Sequence, residues 1–438
     1  MKPLAAALAA ALLLSACGAS PGAQQPAPTV APATQAAATP AAPAPAPTAA
    51  PTAVPTPDPA ALQPTWIAEL SATALALLPP TATPVDASDY PTGFTGITTL
   101  PLQTPAGSPA LAALYPTGLR DFKADTRHFV AVYERAGDAW HELARAELPD
   151  ADGLQDGSVS QVDVLPGEVW LRVDAGAGAH SGVFTLLRLA GRTLSTEAAA
   201  FHSSPVAADL KDLDADGVPE VLVNRTDVYL FCYACGVRKT DYGALQWDGG
   251  RFVERGLAPL PADTPAALRE PLDRAISLAQ AGLYKDAAAA LAPALAQPQT
   301  PESRWNAGLL AVLIAARADQ AASGAYPLLD NLFYGDYAAA LAPMRGLTPA
   351  AIFGSPSALV AGTIAEGWEE PLTASITSTT ELALRLDPNL AAAHFLRGWA
   401  LHLADPASPE AVTEIERAAQ LAPEDALFTE SLAYLRQR

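Results

Sequence analysis

Apolar and polar residues alternate with a period of two in short stretches up to about Glu254, and from about Pro261 to the C-terminus the period lengthens to near 3.6. The pattern predicts an antiparallel β domain over residues 65–260 followed by an all-α domain over 261–438. Within the first part three stretches read as hairpins: FVAVYERAGDAWHEL around Gly137, GVFTLLRLAGRTLST around Gly191 and GALQWDGGRFVE around Gly249. The strand before each turn alternates, and AGD, AGR and DGG supply the positive φ that a tight hairpin turn needs. Each unit places a large residue three positions after its glycine, Trp140, Leu194 and Phe252. Ahead of the hairpins, TWIAELSATALALL predicts a short helix, and the loops after it twice carry YPTG, at Tyr90 and Tyr115.

The hairpin glycines stand 54 and 58 residues apart in the chain, close to the period of a propeller blade. Three units cannot close a propeller, which needs at least four blades, so the expectation is a compact antiparallel domain, either a partial propeller or a sandwich. In the second unit Gly167-Glu168-Val169 stands where the third has Pro219-Glu220-Val221.

The helical part repeats one device. Thr264-Pro265, Thr300-Pro301, Thr348-Pro349 and Ser408-Pro409 each offer a hydroxyl cap before a proline at the first helical position. Small residues recur where paired helices would cross: Ala275, Gly282, Ala287 and Ala294 in one stretch, and Gly398, Ala411 and Ala418 with Pro423 in another. These two stretches resemble tetratricopeptide repeats (TPR), and a weaker third unit lies at Gly335–Ala340. The resemblance implies a short array of helix pairs with a groove for a protein or peptide ligand.

Residues 1–16 run from Lys2 through LAAALAAALLL to small residues, the layout of a signal peptide and too short to span a membrane. The run ends in Leu14-Ser15-Ala16-Cys17, which resembles the lipobox of bacterial lipoproteins; the resemblance implies cleavage before Cys17 and its lipidation with palmitate-type chains. Two such chains hold a protein at a bilayer, since each buried methylene contributes about 0.8 kcal/mol. From there to Pro64 the chain is almost wholly Pro, Ala and Thr, with nothing to build a core. Residues 17–64 therefore read as a disordered tether whose extended proline-rich segment reaches on the order of 100 Å. The location implied is the cell envelope, outside the cytoplasm and anchored by lipid.

Candidate chemistry concentrates in DLDADGVPEVLV, Asp212 to Val223. Carboxylates at Asp212, Asp214, Asp216 and Glu220, with the carbonyl of Val218, form the oxygen set a hard cation takes, and Gly217 permits the sharp turn. Positions 1, 3, 5, 6 and 9 match an EF-hand loop, but its twelfth position is Val223 and a strand follows. The stretch is similar to the strand-flanked calcium loops of FG-GAP and VCBS repeats. That resemblance implies a structural Ca2+ that holds the fold and performs no reaction.

Cys232 and Cys235 are spaced C-x-x-C after the stretch VYLF, read as a strand. Zinc would need two further ligands, and a thioredoxin-type pair would open a helix. A disulfide is expected outside the cytoplasm, and it can close only if Tyr233-Ala234 is a turn, because residues three apart in a strand are too far apart.

Composition narrows the partners. A formal charge of −20 repels a nucleic-acid backbone. The sequence contains no HExxH, GxSxG, phosphate-binding loop or dinucleotide fingerprint. His394 and His402, eight apart, read as packing or groove residues, Trp399 and Phe395 as core, and Asp150, Asp152 and Gly153 as a turn. The expected protein is thus a non-catalytic binding or scaffold lipoprotein. A second reading, an envelope enzyme or enzyme subunit, for example carbohydrate-active with an accessory FG-GAP-type domain, would require a cleft with paired carboxylates.

Overall fold

The computed structural model describes residues 68–70, 72, 96–105, 108–117 and 128–437. The signal segment, Cys17, the tether and the first YPTG lie outside the described residues. Among the described residues, twelve strands make three four-stranded antiparallel sheets, and in each the strands lie side by side in chain order. The first sheet holds β1 (Gly96–Leu102), β2 (Leu111–Thr117), β3 (His128–Ala136) and β4 (Ala139–Leu148). The second holds β5 (Val159–Val162), β6 (Val169–Ala177), β7 (Ser181–Ala190) and β8 (Thr193–His202). The third holds β9 (Ala208–Lys211), β10 (Glu220–Asn224), β11 (Tyr242–Trp247) and β12 (Phe252–Glu254).

The three predicted hairpins are the last two strands of each sheet, and Gly137, Gly191 and Gly249 turn them with φ of 61°, 61° and 97°. Two local expectations fail. Tyr115 and Pro116 belong to β2 and pair with β1 instead of forming a loop. The stretch Val228–Phe231 is no strand either: β10 ends at Asn224, and the chain leaves the sheet so that Phe231 can stack on Trp368 in the helical half.

Alternation along the strands sorts side chains onto two apolar faces. In β2, Leu111, Ala113 and Tyr115 face the second sheet, whereas Ala112 and Leu114 turn outward onto Leu70, which is fully buried. In the second sheet Leu171 and Val173 meet the first, and Trp170, Phe184 and Leu186 meet the third. In β10 Val221 points back to Trp170, and Leu222 points to a helix. The sheets are therefore stacked in series with apolar layers between them.

The helix that meets Leu222 is one of ten in the C-terminal half: α1 (Ala266–Gln280), α2 (Tyr284–Leu295), α3 (Pro301–Ser323), α4 (Pro327–Tyr334), α5 (Tyr337–Arg345), α6 (Pro349–Ile352), α7 (Glu369–Leu386), α8 (Ala391–Ala404), α9 (Pro409–Leu421) and α10 (Ala426–Leu435). Thr300, Thr348 and Ser408 cap α3, α6 and α9 through their side chains, as expected. Thr264 does not, because Pro265 itself takes the cap position of α1. Consecutive helices pair as hairpins, α1 with α2, α4 with α5 and α8 with α9. Among the described residues no helix is long and apolar enough to cross a membrane.

Helix α3 is apolar on two sides because it is buried on two sides. Trp305, Leu309 and Leu313 pack on Leu213, Leu222 and Ala244 of the third sheet and its loop, while Ala307 and Leu310 join the helical core. Polar contacts fix both ends: Arg304 Nε donates to the Asp214 carbonyl at 2.7 Å, and near the other end Gln320 Oε1 accepts from the Thr240 amide at 3.0 Å and its hydroxyl at 2.6 Å. The sheets and the helices belong to one compact unit.

Two predictions test this packing. Trp170 is fully buried between the second and third sheets and makes edge contacts with Trp247 and Phe252. Trp170→Ala is expected to lower stability by about 3–5 kcal/mol in denaturant unfolding, and a change within about 0.5 kcal/mol would contradict the stack. In the helical half His394 Nδ1 lies 2.5 Å from Glu414, joining α8 to α9, and that hydrogen bond raises the imidazole pKa above 6.5 against the opposing effect of burial. The stabilisation is fully present below the unfolded pKa and is lost as pH rises through the folded one. His394→Gln should accordingly destabilise more at about pH 5.5 than at about pH 8.5, and an equal effect at both would remove the ion pair from the account.

Candidate metal loop between β9 and β10

The stretch Asp212–Pro219 joins two antiparallel neighbours, with Lys211 paired to Glu220 at its base. The chain turns back through two residues at positive φ, Ala215 at 58° and Gly217 at 91°. A left-handed alanine is unfavourable by about 1–2 kcal/mol, so the loop is held in this shape by its side chains. Asp212 accepts the amides of Asp216 (3.2 Å) and Gly217 (3.1 Å), and Asp216 accepts that of Val218 (2.7 Å).

The same curl gathers Asp212, Asp214 and Asp216, each placing one carboxylate oxygen within 4.8 Å of the others. Of the four carboxylates expected as ligands, these three converge. Glu220 is buried, and its Oε2 accepts the Leu213 amide at 2.7 Å, outside the gathered set.

Asp212 and Asp216 are exposed, but Asp214 is only 4% exposed. Its Oδ2 accepts Gln246 Nε2 at 3.0 Å, while its Oδ1 is buried with no hydrogen-bond partner. Burial, then the charge of Asp216, pushes the Asp214 pKa up. Burial and the three neighbouring aspartates push the Glu220 pKa up to about 8. A buried carboxylate with one oxygen unpartnered, beside two further carboxylates, is an arrangement a hard divalent cation satisfies. The residues fit Ca2+, held by Asp212, Asp214 and Asp216, and such an ion would supply charge neutralisation and no redox or acid–base chemistry.

Sequence reasoning missed the residues that position Asp214. Gln246 comes from β11, and its Oε1 accepts Arg255 Nη1 at 2.6 Å; the Arg255 guanidinium lies 4.6 Å over the Trp305 ring. A polar residue inside GALQW was a visible signal for Gln246. Arg304, 90 residues from Asp214, left none.

The remaining candidates have structural roles. Cys232 and Cys235 are disulfide-bonded with Cα atoms 5.0 Å apart, and Tyr233–Cys235 forms the 3-10 turn that closure requires. His402 is buried against the Phe353 carbonyl, and Phe395 and Trp399 are fully buried core residues. Asp152 caps a turn by accepting the Gly178 amide.

Calcium at a hundred times its dissociation constant is expected to stabilise the chain by about 2.7 kcal/mol. Thermal unfolding with calcium and with chelator measures this, and Asp214→Asn combined with Asp216→Asn should erase the difference. A melting curve that chelator leaves in place would make the loop a plain turn.

No family model, no curated protein and no solved structure matches this chain.

Proposed function

We infer that this chain is an extracytoplasmic lipoprotein anchored at a bacterial membrane through Cys17, non-catalytic, and acting as a protein-binding or scaffold module. Its β half reads as a partial propeller of three blades braced by Ca2+, and its helical half as a TPR-like array that receives a protein or peptide. The observation that carries the reading is the close crossing of helix pairs at small residues. A Cβ on Gly398 would come within 2.8 Å of Ile415 and 2.9 Å of the Ala411 carbonyl, and the turns of two neighbouring pairs touch as closely, since one on Gly335, between α4 and α5, would come within 2.7 Å of Leu283 Cα, between α1 and α2. Helical pairs that meet this closely stack into arrays whose side surface is open to a ligand. The charge of −20 supports a protein partner over nucleic acid.

The reading is tested in two arms. A palmitate analogue fed to the producing cells is expected to label the protein, and Cys17→Ala should abolish the label; labelling that survives the substitution rules out the anchor. Photo-crosslinkers placed on the helical half in intact cells should trap one discrete protein adduct. Adducts absent from that half but present from the sheets would move the binding surface and overturn the TPR-like assignment.

A further inference from the structure

We propose that the loop regulates how firmly α3 is seated on the third sheet, so that cation occupancy at Asp212, Asp214 and Asp216 controls the docking of the helical half. This rests on the reading of the loop as a cation site. Three contacts join the loop to the helix. Arg304 Nε donates to the main-chain carbonyl of Asp214, the same residue whose Oδ1 is buried and unpartnered. Gly308 brings the helix backbone down onto the loop backbone, where any Cβ would collide with the Leu213 carbonyl oxygen. The Leu213 side chain is buried with Trp305, Leu309 and Leu313.

A second route runs through side chains, from Asp214 Oδ2 to Gln246, from Gln246 to Arg255, and from Arg255 to the face of Trp305. The Arg304 bond and this second route both start at Asp214 and end within the first turns of α3, while the contacts of Leu213 extend along the helix to Leu313. With the carboxylates neutralised, the loop keeps the curl that presents the Asp214 carbonyl to Arg304 and the Leu213 carbonyl to Gly308. Without neutralisation, three carboxylates within 4.8 Å of one another repel, and the relaxation available to them is an opening of the loop. Opening moves the two carbonyls on which α3 rests. Coupling of this kind is reciprocal, so loosening α3 must weaken cation binding by the same factor.

Hydrogen exchange on the full chain, with and without Ca2+, measures the coupling, and calorimetry measures binding independently. Amides of residues 305–313 are expected to slow at least about fivefold more than those of Ala391–Ala404, the low end of ordinary coupling. Arg304→Ala should still bind Ca2+, with an affinity weakened by about that same factor, and should lose the selective protection. Arg304→Met, which keeps the aliphatic stem, repeats the test should the alanine variant fail to fold. If calorimetry shows binding while residues 305–313 gain no more protection than 391–404, the coupling is overturned and the metal site stands. If Ca2+ gives no binding heat at millimolar concentration, the metal reading falls and the coupling falls with it.

Discussion

Three sheets stacked without closing leave an apolar face at each end, and the burial of those two faces is the constraint on which the rest of the structure depends. A closed propeller covers every blade with the next one. Here the first sheet is covered by the helical segment that carries Leu70, and the third by α3. The covering at the third sheet explains why α3 carries apolar residues on two sides, since one side seals the stack and the other begins the helical core. The sheet half and the helical half are consequently built on a shared layer.

The acidic loop lies at the margin of that layer, which accounts for its unusual electrostatics. Leu213 must face α3 to complete the apolar contact, and the residues on either side of it, Asp212 and Asp214, are then divided between solvent and interior. Asp214 is buried by its position next to Leu213, with Gln246 and the Arg255–Trp305 pair around it. Burial of a carboxylate beside two others is unfavourable unless positive charge is supplied. The raised pKa values of Asp214 and Glu220 express that same imbalance. A divalent cation is the simplest group that removes it.

A second tether crosses between the halves where the chain leaves β10. Phe231 stacks on Trp368 at 5.8 Å and packs near Tyr326, and Val237 is fully buried in the helical core. Between them the Cys232–Cys235 disulfide fixes a single tight turn, so both apolar residues enter the core from a loop with little freedom. With Gln320 bonded to Thr240, the end of α3 remote from the acidic loop is held by contacts that involve no carboxylate cluster. The helix thus has its remote end held by Gln320 on Thr240 and on the Asp330 carboxylate, and its near end resting on the acidic loop.

What the sequence determined by itself was everything governed by local periodicity and turn chemistry. The change of period near residue 260, the glycine-turned hairpins, the hydroxyl caps before proline and the aspartates spaced to curl around one point are each specified within about a dozen residues. Strand Val228–Phe231 was misread because a run of Val, Tyr, Leu and Phe suits a sheet, while the burial of Phe231 beside Trp368, far along the chain, outweighs that preference. The tertiary structure alone decided that the three meanders stack in an open series, that α3 seals the last of them, and that Arg304 reaches Asp214. Only it could show that Asp214 is buried with an oxygen unpartnered, because burial is set by what packs from elsewhere in the chain, and spacing along the sequence carries no record of it.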